Sequence, residues 1–173
     1  MGKRSNFKRF KQDAYDTPPE AVIPLLPFLL DNTKFVEPCA GRCHLIWALE
    51  DHGHICIFRS DIGPNYDNGV LMRDALKIER ALGECYITNP PWSRPILHPI
   101  ILHLSKLAPT WLLLDADWMH TKQARPYLAR CQKIISIGRV KWIKDSKNTG
   151  MDNCCWYLFG NYKCEPTFYG RTP

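Results

Sequence analysis

Residues 34–58, KFVEPCAGRCHLIWALEDHGHICIF, contain the local pattern that decides the fold class. Lys34 to Glu37 has an apolar centre that favours a strand. Cys43 to Asp51 places leucine, isoleucine and alanine at helical spacing, and Gly53 is suited to end that helix before a second strand, His54 to Phe58. The stretch therefore predicts a strand–turn–helix–strand unit, which is the building block of a parallel sheet.

Strands and helical patterns alternate along the rest of the chain as well. Pro18 and Pro19 favour a helix start, which Pro24 and Pro27 would shorten or kink. The further predicted strands are Val70–Met72, Cys85–Thr88 and Trp111–Asp115, the predicted helices are Pro95–Leu107 and Met119–Arg130, and Lys133–Lys144 and Asn153–Phe159 form an antiparallel hairpin. The sequence thus predicts an α/β fold with a mostly parallel sheet, helices on both faces and a C-terminal antiparallel hairpin.

The composition is that of one soluble domain. The chain has 173 residues, of which 45% are hydrophobic and 12% aromatic, so it is long enough to bury a core. The longest apolar stretch, residues 21–30, contains two prolines and is too short to span a bilayer, and the N-terminus has no apolar signal core. We therefore expect a single domain, residues 13–173, after a flexible basic arm, residues 1–12, in the cytoplasm.

Eight cysteines are present, at irregular spacing. A reducing cytosol disfavours disulfides, so these residues are expected to be free thiols, mostly in the core. None of them forms the paired Cys-x-x-Cys spacing of a structural zinc site. The sequence predicts no metal site.

Positive charge is concentrated in two places. The formal net charge is +6, and the first eleven residues contain five lysines and arginines and no acid. A second basic group lies around Trp142 and consists of Arg139, Lys141, Lys144 and Lys147. Such groups favour nucleic-acid phosphates, although simple solubility explains a run of lysines about as well.

The most distinctive short motif is Asn89-Pro90-Pro91-Trp92, which follows the predicted strand Cys85–Thr88. Two prolines cannot continue the sheet, so Asn89 is expected at the carboxyl end of a strand, where open α/β sheets bind ligands. The Asn89 side-chain oxygen and the Pro90 carbonyl are acceptors for the two hydrogens of an exocyclic amine, and Trp92 offers a face for stacking a base. The alternative is an exposed turn with a buried tryptophan.

The first turn of the predicted sheet is also suited to a ligand. Glu37 ends a strand, and the small residues Ala40 and Gly41 allow close approach to the backbone. Asp61 follows the second strand, where such folds bind ribose hydroxyls, although an aspartate taken singly at such a position is more often a solvated turn residue. Together these positions indicate a nucleoside site.

Three motifs in series resemble those of S-adenosylmethionine-dependent amino-methyltransferases that act on DNA. They are Asp13-Ala14-Tyr15-Asp16-Thr17-Pro18-Pro19, Phe35-Val36-Glu37-Pro38 with Gly41, and Asn89-Pro90-Pro91-Trp92. The sequence is most similar to the small DNA adenine-N6 methyltransferases of phages and prophages, whose C-terminal hairpin resembles Gly138–Ile143 followed by Trp156–Phe159. The resemblance implies a Rossmann-like class I methyltransferase fold.

The resemblance also implies a cofactor site for S-adenosylmethionine. Its methionine part is expected to contact Tyr15, Thr17, Pro18, Glu37, Pro38 and Gly41. Asp61 would bind the ribose. Asp74 matches the position that meets the adenine ring, and from the residues alone a helix cap fits it as well.

The same resemblance gives Asn89, Pro90, Pro91 and Trp92 the catalytic role. Asn89 and the Pro90 carbonyl would hold the target amine, and the base would flip out of the duplex and stack on Trp92. Trp142 is expected either to stack on the opposite face or to be a core aromatic of the hairpin. The basic residues Arg139, Lys141, Lys144 and Lys147 would contact the nucleic acid.

The expected substrate is N6 of adenine in DNA, methylated with little sequence specificity because no large target-recognition domain separates the motifs. Trp92 stands where DNA enzymes mostly have Tyr or Phe. At this position the motif resembles that of messenger-RNA adenine methyltransferases, so RNA is an alternative substrate. Cys43 stands where many relatives have a glycine and would either crowd the cofactor or start the helix. Cytosine-N4 methylation, and a nucleic-acid-binding module without catalysis, are the further alternatives.

Overall fold

One sheet of eight strands forms in the residues that the computed structural model describes, which are 15–63, 68–143 and 149–171. The strands are β1 (Lys34–Glu37), β2 (Ile55–Asp61), β3 (Leu71–Met72), β4 (Cys85–Thr88), β5 (Thr110–Asp115), β6 (Cys131–Arg139), β7 (Asn153–Phe159) and β8 (Thr167–Tyr169). β4 is buried at all four positions and β5 at all but its last, as expected for central strands covered on both faces.

The strand order is β3-β2-β1-β4-β5-β7-β6-β8. All pairs from β3 to β5 are parallel, β7 lies antiparallel between β5 and β6, and β8 adds a parallel strand to β6. After β1 the chain therefore adds β2 and β3 on one side of β1, and then crosses to the other side to form β4. This change of direction opens a crevice at the carboxyl ends of β1 and β4, which is where open α/β sheets bind ligands.

Within the described part of the chain, three α-helices cover the sheet: α1 (His44–Glu50), α2 (Arg94–Leu107) and α3 (Arg125–Leu128). Side chains of β5 alternate between the two faces, so Trp111 and Leu113 pack in the same core cluster as α1, whereas Leu112 and Leu114 pack with α2. This alternation follows from the two-residue period of a strand. The predicted α/β class, with a mostly parallel sheet and a C-terminal antiparallel pair, is confirmed.

Two predicted helices are wrong in type or length. The segment from Pro18 forms only 3₁₀ turns, Pro19–Ala21 and Ile23–Phe28, because Pro24 and Pro27 remove the backbone donors that an α-helix needs. The predicted helix Met119–Arg130 is instead a 3₁₀ turn, Ala116–His120, followed by the four-residue α3.

The strand predictions differ from the structure mainly at their ends. β1, β4 and β7 have the predicted bounds, whereas β2 continues to Asp61 and β6 ends at Arg139. β8 was not predicted, since Thr167–Tyr169 is only three residues long and follows a proline.

The N-terminal segment is fixed to the sheet by Trp156, whose side chain in β7 is fully buried. Its indole Nε1 donates to the Ala21 carbonyl at 2.8 Å. Ala21, Val22 and Leu25 belong to the same core cluster. The chain just before Ala21, including Thr17, is thereby held close to the sheet.

All eight cysteines are free thiols, five of them buried, as predicted for core residues. No helix within the described ranges is long and apolar enough to cross a membrane. The predicted basic arm, residues 1–12, and the predicted substrate contacts Lys144 and Lys147 lie outside the described residues.

Candidate functional site

A cleft of about 490 Å³ lies at the carboxyl ends of β1, β2 and β4. Most of the residues that the sequence predicts for the cofactor and the target amine line it: Tyr15, Thr17, Glu37, Pro38, Gly41, Asp61, Asp74, Asn89 and Pro91. Pro18, Pro90 and Trp92 are the predicted residues of these two sets that do not line it, and neither does Trp142. Five separate segments of the chain thus meet in one cavity.

Asn89 directly follows β4 and is tied to the N-terminal segment. Its side-chain nitrogen donates to the Thr17 hydroxyl at 3.2 Å. A carboxamide whose nitrogen is bound in this way has its oxygen left to accept hydrogen bonds. Thr17 is itself 3% exposed, so this contact is sheltered from solvent.

Glu37 ends β1 and is 1% exposed, although it lines the cleft. Neither carboxylate oxygen has a hydrogen-bond partner. Burial raises the pKa of Glu37 well above its ordinary value and the nearby Asp61 raises it further, while the Thr88 hydroxyl and the Asn89 backbone oppose this only in part. A buried acid without donors is costly, and a bound ligand with donors or positive charge would relieve that cost.

Asp61 fixes the turn after β1. Its Oδ2 accepts from the Gly41 backbone N–H at 2.8 Å, and its Oδ1 accepts from the Gly63 backbone N–H at 2.6 Å. Gly41 has φ +47°, which glycine adopts without strain. Since each carboxylate oxygen can accept more than one hydrogen bond, Asp61 keeps capacity for ligand hydroxyls.

Asp74 has both features that the sequence allowed. Its Oδ1 accepts from the Leu76 backbone N–H at 2.9 Å and so caps the 3₁₀ turn Ala75–Lys77, and the residue also lines the cleft. The capping bond uses one carboxylate oxygen and fixes the side chain at the cavity wall.

Cys43 starts α1 in the left-handed conformation, with φ +69°. Its side chain is fully buried in the core cluster and does not line the cleft. Of the two consequences that the sequence allowed at this position, the structure has the helix start, because the Cys43 carbonyl accepts from the Trp47 backbone N–H at 2.9 Å.

Trp92 turns away from the cleft. Its Nε1 donates to the Leu113 carbonyl at 3.0 Å, and its ring meets Trp142 edge to face at 5.6 Å. Trp142 is also 6.3 Å from the Tyr15 ring and packs against the core cluster. The three rings join the end of β4, the hairpin and the N-terminal segment.

A second cavity, of about 200 Å³, lies on the far side of the Asn89–Trp92 turn. Its lining consists of Trp92, Arg94, Leu97, Leu114, Asp115, Asp117, Trp118 and Thr121. Apart from Trp92, the residues of this cavity were not predicted from the sequence. The available signal was Asp115, which ends β5 at the same edge of the sheet as Glu37 and Asp61.

The two described members of the predicted basic group lie at the end of β6. Arg139 is exposed, and Lys141 is half-buried. Arg42, which lines the first cleft, bonds to Asp16: its Nε donates to Oδ1 at 3.0 Å. This ion pair ties the N-terminal segment to the turn after β1. No cluster of three metal-ligating side chains occurs in the ranges that the structure describes.

No protein-family model matches the sequence, and neither does any curated protein. Solved structures do match. A candidate RNA methyltransferase of Pyrococcus horikoshii is 13% identical, with a TM-score of 0.63 over 92% of this chain and 93% of that one. A type I restriction-modification methyltransferase subunit of Streptococcus thermophilus is 10% identical, with a TM-score of 0.62 over 91% of this chain, which spans about half (47%) of that subunit.

A candidate class I S-adenosylmethionine-dependent methyltransferase of Listeria monocytogenes is 10% identical, with a TM-score of 0.56 over 95% of this chain and 68% of that one. At identities this low, the matches establish similarity of fold alone. The matches extend over nearly the whole of this chain, including both its parallel strands and the antiparallel β7. The chain therefore has the class I methyltransferase fold.

Proposed function

We propose that this protein uses S-adenosylmethionine to methylate N6 of adenine in DNA, with little sequence specificity. The observation that supports this most directly is the Asn89 carboxamide, which is oriented by Thr17 at the edge of a cleft that also contains the unpaired Glu37. An oriented acceptor beside a cofactor-sized cavity at the carboxyl edge of the sheet is what transfer to an amine requires.

The residues of the cleft fit the proposed cofactor. Glu37 lacks donors, and the cationic amino group of the methionine part would supply them. Asp61 has acceptor capacity for ribose hydroxyls, and Asp74 lies further along the wall toward the cofactor's base. Tyr15 and Thr17 form the opposite wall, with Pro18 just outside it. S-adenosylmethionine, when bound, supplies an activated methyl group, so the chain has to position the acceptor amine.

The chain's contribution at the amine is to accept hydrogen bonds from it. The adenine amino nitrogen is a poor nucleophile because its lone pair is delocalised into the ring. Hydrogen bonds from the amine to the Asn89 oxygen and the Pro90 carbonyl favour a pyramidal nitrogen with a localised lone pair. Pro90 and Pro91 fix the backbone of this turn, so the acceptors are placed before substrate binds.

The target base is proposed to enter from the side of the second cavity. Pro91 lines the cofactor cleft and the next residue, Trp92, lines the second cavity, so the two cavities lie on either side of the Asn89–Trp92 turn. A paired base cannot reach this turn, and it has to be flipped out or unpaired already. Arg139 and Lys141, with Lys144 and Lys147 outside the described residues, are the proposed phosphate contacts.

RNA is the second candidate substrate. The neighbour described as a candidate RNA methyltransferase is matched over 93% of its own length, whereas the type I restriction-modification methyltransferase subunit is matched over 47%. A chain of this size is thus similar to a whole protein of the first kind and to a part of the second. Trp92 agrees with the RNA alternative as well.

One transfer assay distinguishes these possibilities. The protein is incubated with methyl-labelled S-adenosylmethionine and, separately, single- and double-stranded DNA, RNA and protein, and the products are digested to identify the modified residue. We expect label in N6-methyladenine from DNA. Label in RNA adenine or in cytosine would move the substrate to the corresponding alternative, and cofactor binding without transfer to any polymer would leave a catalytically silent binding module.

Arg42→Ala is expected to weaken S-adenosylmethionine binding a few-fold. The Arg42–Asp16 pair holds one wall of the cleft, but Arg42 is 59% exposed, and exposed ion pairs contribute about 1 kcal/mol or less. Isothermal titration at low and at high salt measures the effect, which should shrink as salt screens the pair in the wild type. The exposed Arg125→Ala is the matched control, and equal losses in both variants would contradict the role of the pair.

A further inference from the structure

One wall of the second cavity is supported by a histidine outside it. The Trp118 ring lines the cavity, and its Nε1 donates to His98 Nε2 at 3.2 Å. His98 lies on α2, and its ring also stacks on Tyr127 at 4.3 Å with an interplanar angle of 29°. An imidazole nitrogen accepts a hydrogen bond only while it carries no proton. The contact therefore exists for neutral His98 alone.

Trp118 depends on this contact for its only polar group. The side chain is 4% exposed. Tyr157 and Phe159 meet its ring edge to face at 5.3 and 5.9 Å, and the tilted Tyr127 ring lies 6.4 Å away. These aromatic contacts pack against the ring, whereas the indole N–H is hydrogen-bonded to His98. A buried donor that loses its acceptor is penalised, so the ring would shift to find another one.

We propose that His98 is a positioning residue for the target base: in its neutral form it holds Trp118 as a wall of the second cavity, and its protonation withdraws that support and weakens substrate binding. This inference rests on the proposed function, since it assigns the second cavity to the base. It deepens that function by making base binding sensitive to pH through a residue that touches neither cofactor nor base.

The surroundings of His98 favour its neutral form. Burial lowers the pKa of His98 below 6.5, and the positive charge of Arg94, one turn earlier on α2, lowers it further. The groups that face it from the other elements are the Trp118 indole, from the 3₁₀ turn Ala116–His120, and the Tyr127 ring, from α3. Burial and Arg94 both favour the neutral imidazole, so protonation of His98 requires more acidic solution than that of a free histidine.

Two variants of His98 separate positioning from folding. His98→Gln retains an acceptor oxygen without a group that titrates in this range, whereas His98→Leu removes the acceptor and keeps an apolar side chain of moderate size. His103→Gln is the matched control, because His103 lies on the same helix and is hydrogen-bonded to Ile78 at 2.7 Å, away from the cavity.

The kinetic readout is kcat/KM for an adenine-containing oligonucleotide at saturating S-adenosylmethionine, followed from pH 5 to 8. At pH 8 we expect His98→Leu to lose about tenfold, the loss expected for one unsatisfied buried donor, while His98→Gln and His103→Gln retain activity. The wild type and His103→Gln should show a fall in kcat/KM below pH 6.5 that His98→Gln lacks. An unchanged acid limb in His98→Gln, or full activity in His98→Leu, would overturn the proposal.

A second readout does not need activity. The Trp118 indole N–H resonance, assigned by its loss in Trp118→Phe, should titrate with pH in the wild type and stay constant in His98→Gln. Titration without any methyl transfer would show that the proposed function has failed while the His98 contact stands. A resonance that does not titrate would refute the His98 inference even in an active enzyme.

Discussion

Asn89→Ala should abolish methyl transfer while S-adenosylmethionine binds almost as tightly as before. The variant removes the oxygen proposed to accept from the target amine, and losing one preorganised acceptor of this kind typically costs about 100- to 1000-fold in rate. The residue lies at the edge of the cleft next to Thr17, so the buried acid and the first turn keep their positions. Single-turnover transfer and calorimetric cofactor binding measure the two effects.

A matched pair of threonines tests the role of the Thr17 hydroxyl. Thr17→Val removes the group that accepts from the Asn89 side-chain nitrogen, so the carboxamide is no longer oriented and transfer is expected to fall about tenfold. Thr33→Val is the control, because Thr33 is about as buried but its hydroxyl donates to the Leu30 carbonyl at the entry to β1, away from Asn89. If both valine variants lose the same activity, the effect is one of stability, and a role of Thr17 in orienting Asn89 is excluded.

Transfer that persists in Asn89→Ala would mean that the target amine is held by other residues.

The parts of the fold that the sequence could predict are those that short-range patterns determine. β1, β4 and β7 are continuous runs suited to burial, and their predicted bounds agree with the structure. The helix from Met119 was wrong because apolar spacing alone does not reveal that Thr121 adopts an extended conformation and that its hydroxyl instead bonds to the Trp118 carbonyl. β8 exists only through its pairing with β6, a long-range contact with no local signal.

The site was predictable where residues end parallel strands, because such positions converge at one edge of the sheet. Glu37, Asp61 and Asn89 follow this rule, and all three line the cleft. Side-chain direction was not predictable: Trp92 faces the second cavity because the Leu113 carbonyl binds its indole nitrogen. Trp118 was missed for a similar reason, since its place depends on the irregular turn after β5.

Several contacts tie the N-terminal segment to the sheet at once. Trp156 binds Ala21, Arg42 binds Asp16, and Asn89 binds Thr17. The last of these connects the wall of the cofactor cleft to the proposed amine acceptor. Cofactor contacts that steady residues 15–17 would therefore also steady Asn89, which couples cofactor binding to orientation of the acceptor.

Glu37→Gln is expected to make the unliganded protein more stable and the cofactor complex weaker. The wild-type carboxyl is buried with two unpartnered oxygens, so its charge destabilises the free protein, whereas a neutral amide of the same size avoids that cost. We expect the free energy of unfolding at pH 8 to rise by about 1 to 3 kcal/mol. A charge-assisted bond to the cofactor's amino group is lost in exchange, which should weaken binding about 10- to 150-fold.

The pH dependence gives this prediction a definite sign. Because burial raises the pKa of Glu37 in the folded chain, the folded state holds a proton that the unfolded state has already released. Stability of the unliganded wild type should therefore fall as pH rises from about 4.5 through the folded pKa, and Glu37→Gln should lack this fall, so the two proteins converge only in acid. Thermal unfolding across pH and calorimetry with S-adenosylmethionine measure the two effects, with the exposed Glu84→Gln as control. A less stable Glu37→Gln, or one that binds the cofactor normally, would mean that Glu37 is structural and that the amino group is held by other residues.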